Sequence, residues 1–329
     1  MKIGIAYDLR GDYPAAEGDP PDSHLEFSTV GEIDGIVEGL ERLGHDVQRI
    51  GNITHMARFL AEGGTVDLVF NHAAGVWGRA REAQVPSLLE AFRIPYTGSD
   101  SLTLSLCLDK GLTKLIWQTY GLATAPFGVV ENLDDVDSKT SALLFPLFTK
   151  PLREGASKGI TADARVHNLA QLREQVRTLI ELYRQPVLVE SFLPGREFTV
   201  GVLGGGTQAR VLGLLEVYSS SPGGINTSAD KEEWEQHLPN HFGPVADAAI
   251  VGPVADLALA AYQAMQCQGV GRVDVRCDQE GHPFLLEINP LPTLHPTHSA
   301  LPLIARQARL SYEALLDEIL DNARQRWGL

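Results

Sequence analysis

Apolar positions switch between two periods over residues 1–100. "KIGIAY" (2–7) is a short continuous apolar run that reads as a strand. Ile33, Ile36, Val37, Leu40 and Leu43 recur at three-to-four spacing, and Gly44 follows them, which predicts a helix with a glycine stop. "DVQRI" (46–50) and "VDLVF" (66–70) read as two further strands, and "VPSLLEAF" (85–92) as a helix. This βαβ rhythm predicts a small parallel sheet with helices on its faces. Between the first strand and the first helix runs "DLRGDYPAAEGDPPDSH" (8–24), a long Pro/Gly/Asp loop of the kind that is often functional or mobile.

Over 101–186 the pattern changes. "SLCLDKGLTKLIWQTYG" (105–121) predicts one helix ending at Gly121. "LLFPLFTKP" predicts a strand that runs into the glycine-containing loop "LREGASKGI", then a further strand, and Leu169–Tyr183 a helix. From 187 onward strands dominate: "PVLVESFL", "EFTVGVLGG" and "ARVLGLLEVY" alternate with turns. Residues 219–244 carry turn formers and charges without a period and read as a long loop. Pro253–Met265 predicts a helix, and "GRVDVRCD" with "PFLLEIN" a hairpin about the turn "QEGH". Ser311 starts a final helix with Leu315, Leu316, Ile319, Leu320 and Ala323 on its inner face. The expected fold mixes α/β and α+β: a βαβ domain at 1–100, a central lobe at 101–186 and a C-terminal lobe at 187–329.

Composition narrows the function classes. The chain has 329 residues, 44% hydrophobic and 21% charged, with a formal charge of −15. That charge argues against a general nucleic-acid or anionic-membrane binder. No apolar run approaches the ~18 residues a membrane span needs. The N-terminal run breaks at Asp8 and reads as a strand rather than a signal peptide. Cys107, Cys267 and Cys277 are scattered without metal spacing and read as reduced thiols. The expectation is a soluble, cytoplasmic protein.

Three segments carry candidate chemistry. In "EGHPFLLEINPLPTLHP" (280–296), Glu287 and Asn289 interrupt an apolar strand two residues apart, so both face one side. A buried carboxylate needs a partner, so a cation is expected opposite. Asp274, on the preceding strand, completes a set of three oxygen donors suited to a hard divalent ion such as Mg²⁺. A ladder in which Arg272 or Arg276 neutralises the acids satisfies the same pattern. "KPLREGASKGI" (150–160) offers backbone amides and Lys150 to a phosphate chain, without the spacing of a P-loop. A plain surface hairpin is its ordinary meaning. In "VLVESFLPGREFTV" (187–200), Glu190 and Glu197 flank a turn among apolar residues, as acceptors for a base and a ribose or as solvated hairpin acids.

These segments converge on a magnesium nucleotide, and their order resembles the ATP-grasp superfamily, within it the D-alanine–D-alanine ligases. "IPYTGSDSLTLSLCLDK", "FTKPLREGASKGI", "VLVESFLPGREFTV", "GRVDV", "FLLEINPLP" and "THSALPLIARQARLSYEALL" follow that family's motifs in its order. The resemblance implies a two-lobed ATP-grasp fold behind the N-terminal domain, a homodimer, and an ADP-forming ligation of a carboxylate to an amine through an acyl phosphate. It implies that Lys110 and Lys150 contact the ATP phosphates under a loop containing Gly155, Ser157 and Gly159. Glu190 and Leu193 would line the adenine pocket, with Glu197 on the ribose. Asp274, Glu287 and Asn289 would hold two Mg²⁺ ions, with Mn²⁺ as a substitute. Arg272 would stabilise charge in the transition state.

The substrate-facing positions depart from that pattern. Ala156 stands where the family has the first of two serines, which removes the hydroxyl partner of a tyrosine and glutamate network. Residues 219–244 lack the family's tyrosines, and Lys231 is a loose counterpart of their lysine. Glu26 is the candidate for an amino-binding glutamate. "HAAGVWGRAREAQ" (72–84) keeps His72, with Glu82 as a stand-in acid, and Arg79 and Arg81 either meet an acidic substrate or pair with surface acids. Thr293 replaces a glycine, while Ser299 remains for a substrate carboxylate. His295 and His298 flank a Pro turn. The leading expectation is an ATP- and Mg²⁺-dependent ligase of small amino acids. Its rivals are a specialised ligase with a substrate other than D-alanine and a nucleotide-binding regulator without ligase activity. A dinucleotide oxidoreductase is poor, because no G-x-G-x-x-G follows the first strand.

Overall fold

The computed structural model describes residues 1–218, 227, 242–245 and 247–329. β1 (Lys2–Tyr7) lies between β2 (Asp46–Gly51) and β3 (Leu68–His72), parallel to both. Its central place explains the continuous apolar run, since both faces are covered. β3 begins and ends two positions later than the periodicity suggested, and so carries His72 at its carboxyl end. Thr29 caps α1 (Val30–Arg42) by accepting from Glu32 N. α2 (Ile53–Ala61) was not anticipated. Asn52 caps it, and Met56 and Leu60 are its buried contacts, too few to declare a period. The helix α3 (Gln84–Ala91) lies where expected.

The single helix expected over 105–121 is two, α4 (Ser101–Leu108) and α5 (Lys110–Thr119). Asp109 leaves the helical region at φ −88°, ψ 96°, and its side chain accepts from Leu112 N. An aspartate gains more as a cap than inside a helix, so it starts the second helix. The apolar period runs through because both helices bury one side.

A second sheet joins β4 (Phe127–Val130), β5 (Leu147–Pro151), β6 (Arg165–Val166) and β7 (Val187–Ser191) in the antiparallel order β4-β7-β5-β6. α7 (Leu169–Tyr183) covers it with Leu172, Val176 and Leu179. β7 belongs to this sheet although it follows the boundary drawn after 186. The short helix α6 (Val136–Thr140) closes the same core.

The third sheet joins β8 (Glu197–Leu203), β9 (Arg210–Val217), β10 (Phe242–Pro244), β11 (Val270–Cys277) and β12 (Pro283–Asn289) in the order β10-β9-β8-β11-β12. β10 falls inside the stretch expected to be loop and pairs with β9. Apart from Thr227 and the residues from Phe242 on, that stretch, Lys231 included, lies outside the described residues. The helix Ala248–Ala264 starts before Pro253, because Asp247 caps it through Ala249 N. It covers one face of the sheet and Ala300–Gln307 the other. The last helix, Tyr312–Trp327, is capped by Ser311 and returns to the first sheet. Leu315, Leu316, Ile319 and Leu320 share one core with Ile3, Ile5, Ile33 and Ile36. All three cysteines are buried free thiols, and no helix among the described residues is long and apolar enough to cross a membrane.

One irregularity shapes the site. Asp274 pairs with Glu287 and Val275 with Leu285, so Leu286 is an extra residue in β12. The backbone of Leu285 turns to the neighbouring segment instead, its N–H to Ala123 O and its carbonyl to Thr124 Oγ1. Strict alternation would have put Leu285 on the face of Glu287. The bulge buries Leu285 beside Ile288 and turns Leu286 and Glu287 together toward a cleft.

Candidate functional site

A cleft opens between the second and third sheets. Lys150, Ser157, Glu190, Leu193 and Glu197 line it, with Arg272, Asp274 and Glu287 on the far wall. The backbone explains who faces it. Lys150 lies near the end of β5 and Glu190 near the end of β7, and the register of the two strands brings them together. Glu190 Oε1 is 3.0 Å from Lys150 Nζ and Oε2 is 2.8 Å from Lys114 Nζ, all three side chains being buried. Burial alone would raise the Glu190 pKa, yet the two ammonium groups hold it below the carboxylate range. Burial pushes Lys114 down; at Lys150 burial is opposed by Glu190, Glu287 and Glu197, which together outweigh it and raise the pKa. Lys114 was missed in the sequence. Its signal was its position four residues after Lys110, on the same helix face.

On the far wall, Arg272 Nη2 lies 3.0 Å from Asp274 Oδ2, and Thr199 Oγ1 donates to Asp274 Oδ1 at 2.7 Å. Asn289 Nδ2 donates to Asp274 Oδ2 at 3.3 Å. Lys110 Nζ approaches Glu287 Oε2 at 3.7 Å and also donates to Glu154 O. Arg276 pairs with Glu197 at 3.0 Å. Burial raises the Glu197 pKa against the pull of Arg276, and the charges of Asp274 and Glu287 add to the rise. The arginine ladder is thus present in part: it serves Asp274 and Glu197, while Glu287 meets a lysine. Two carboxylates and a carboxamide gathered on paired strands form an all-oxygen donor set, which fits Mg²⁺.

A second cavity adjoins the first. Glu26, Phe27, Glu32, Glu82, Ala156, Asn289, Thr293, His295 and Ser299 are among its lining, and Arg272 lines both cavities. Ser299 Oγ accepts from His295 N at 2.9 Å. Burial lifts the Glu82 pKa to about 7, with Arg81 opposing. His72 does not line the cavity. Its Nε2 is 3.0 Å from Glu32 Oε1 in a buried pair, and Glu32 also accepts from Leu294 N at 2.6 Å. Burial would raise the Glu32 pKa, but His72 and the Leu294 amide lower it. Glu32 carried no sequence signal beyond its place in the first turn of α1.

Arg81 is buried rather than on the surface, and Glu26 is tied to it at 2.8 Å and to Lys158 at 2.8 Å. Arg79 and Arg153 both hold Asp109, at 3.0 and 2.9 Å. The hairpin acids Asp278 and Glu280 with His282 form a further group of possible ligands, half-buried or exposed and remote in role from the cleft.

Residues 116–321 match the family described as D-ala D-ala ligase C-terminus. A protein of Sinorhizobium fredii described as uncharacterized protein y4sG is 33% identical, over 89% of this chain and 88% of its own. The D-alanine–D-alanine ligase of Bordetella petrii is 35% identical, over 78% of this chain and 76% of its own. The crystal structure of the Bacillus anthracis D-alanine–D-alanine ligase complexed with ATP superposes with a TM-score of 0.76 at 20% identity. It covers 100% of this chain and 99% of that one, so the fold is shared end to end. A mixed α/β chain whose match runs through all four strands that carry the cleft acids belongs to the D-alanine–D-alanine ligase family.

Proposed function

We propose that the protein is an ATP- and Mg²⁺-dependent, ADP-forming ligase that joins small amino acids through a carboxylate and an amine. The observation that carries this reading is that the cleft lined by Lys150, Glu190 and Glu287 and the second cavity meet at one guanidinium, Arg272. In the proposed sequence, the carboxylate of the first amino acid attacks the γ-phosphorus of ATP and ADP leaves. The amine of the second then attacks the acyl carbon, losing its proton as the carbon–oxygen bond to phosphate breaks.

Lys110 and Lys150 serve as point charges for the phosphate chain, and Glu190 fixes Lys150 in place. Leu193 and Glu197 are assigned to the base and the ribose, Ser157 to the closing loop, and Arg272 to the oxygen charge that grows in either step. Asp274, Glu287 and Asn289 would hold two Mg²⁺ ions, whose chemistry is neutralisation of the β- and γ-phosphates. Glu82 and Ser299 are assigned to the acceptor side, and His72 acts there through Glu32. Compartment follows the same reading: three unpaired buried thiols suit a reducing cytoplasm.

A second reading keeps the chemistry and changes the amino acid. Ala156 in the acceptor wall supports it, because that position offers no hydroxyl to a substrate or a neighbouring side chain. The deciding experiment is ADP release over a panel of D- and L-amino acids, singly and in pairs, with product masses determined. Fast turnover with D-alanine alone would remove the specialised reading. No ADP release with any amino acid, from protein that binds ATP, would favour the regulator.

A further inference from the structure

The Gly-containing loop is fastened by charge. Glu26, Arg81, Glu154 and Lys158 come from three distant segments and form one cluster, each side chain 7–13% exposed. Arg81 Nη2 donates to Glu26 Oε1 and Oε2 at 3.0 and 2.8 Å, to Arg153 O at 2.9 Å and to Glu154 Oε2 at 3.4 Å. Lys158 Nζ bridges Glu26 and Glu154. The Gly155 amide donates to Glu26 Oε1, and a Cβ on Gly155 would lie 2.8 Å from that oxygen, so a side chain there would displace the carboxylate from its place. Four residues on, the Gly159 amide donates to Asp22 Oδ2 at 2.8 Å, and Asp22 is held by the Tyr183 hydroxyl at 2.7 Å. Two carboxylates of the long N-terminal loop thus grip the Gly-containing loop at both ends.

Between the grips lie Ala156 and Ser157, both left-handed at φ 49° and 57°. Ala156 faces the acceptor cavity and Ser157 the nucleotide cleft. Glu26 itself, with its neighbour Phe27, also lines the acceptor cavity. We propose that the Glu26–Arg81–Lys158–Glu154 cluster is a positioning device that couples the acceptor cavity to closure of the phosphate loop it grips. A displacement of residues 22–27 by a bound amino acid is carried through the cluster to the turn that faces the triphosphate. The inference rests on the ligase reading for the identity of what fills the two cavities.

The test uses Glu26→Gln, Lys158→Met and the conservative Glu26→Asp. Mg·ATP affinity is measured by calorimetry with and without D-alanine, and KM and kcat by ADP release. The expected result is Mg·ATP binding weakened about tenfold in Glu26→Gln and Lys158→Met, with KM for ATP and for the amino acid rising together. Glu26→Asp should recover part of the loss. If Glu26→Gln does not fold, Lys158→Met carries the comparison, because methionine replaces the lysine stem at similar volume. Folded variants with the parent's ATP affinity and both parental KM values would overturn the proposal, leaving the cluster a stability element. A parent that binds Mg·ATP but releases no ADP overturns the ligase reading alone, since the calorimetric comparison still decides this one.

Discussion

Glu287 is the residue on which most depends. Its carboxylate faces the cleft beside an extra strand residue and 3.7 Å from Lys110. Glu287→Gln keeps the size and removes the charge, so turnover should fall by at least about 100-fold in kcat while Mg·ATP binding stays measurable by calorimetry. Parental kcat in that variant would sink its assignment to the metal. Glu82 makes a second residue-scale prediction. Its folded pKa, about 7, exceeds the unfolded value, so the folded protein holds the extra proton. Stability from this group is full below the unfolded pKa of about 4.5 and is lost as pH rises through about 7, by an amount on the order of 1–3 kcal/mol. Denaturant midpoints from pH 5 to 8.5 should fall in the parent and fall less in Glu82→Gln. Most candidate residues named from motifs line two adjoining cavities; His72 stands one side chain back, and Lys110 lines neither, reaching the cleft through Glu287. Glu32 and Lys158 were not legible, because each is held by a partner more than thirty residues away, and composition does not name partners; Lys114 offered only its spacing from Lys110.

At the level of elements, the errors share a cause. Periodicity reports burial, not where hydrogen bonding restarts, so two helices divided at Asp109 read as one. Asp109 both caps α5 and receives Arg79 and Arg153. Burial would raise its pKa, but the Leu112 amide and the two guanidinium groups lower it. Asp109→Ala should therefore cost about 1–3 kcal/mol at pH 7, from a lost cap and a largely buried Arg153 left without its carboxylate, the exposed Arg79 being hydrated instead. The penalty should shrink as pH falls through the lowered pKa of Asp109, measured by urea unfolding of both proteins. The bulge at Leu286 was equally hidden, since its backbone is diverted by residues 123–124 from another lobe. β1 and the helix Leu169–Tyr183 were legible because their burial is nearly regular along the chain.

For the whole molecule, three sheets and their helices leave two adjoining cavities, and the N- and C-terminal parts are tied through one core. A ligand that bridges the second and third sheets binds only the folded chain. Mg·ATP at about a hundred times its Kd should add about 2.7 kcal/mol to stability, visible as a raised Tm by calorimetry; ATP with EDTA should raise it less. The distribution of amines has a practical corollary. Lys110, Lys114, Lys150 and Lys158 are all buried about the cleft, whereas Lys2 and Lys139 are exposed, and Lys231 lies outside the described residues. Acylating reagents therefore meet almost no competing surface amines on the described chain, and mass spectrometry of the four interior positions becomes a low-background gauge of how often the lobes part.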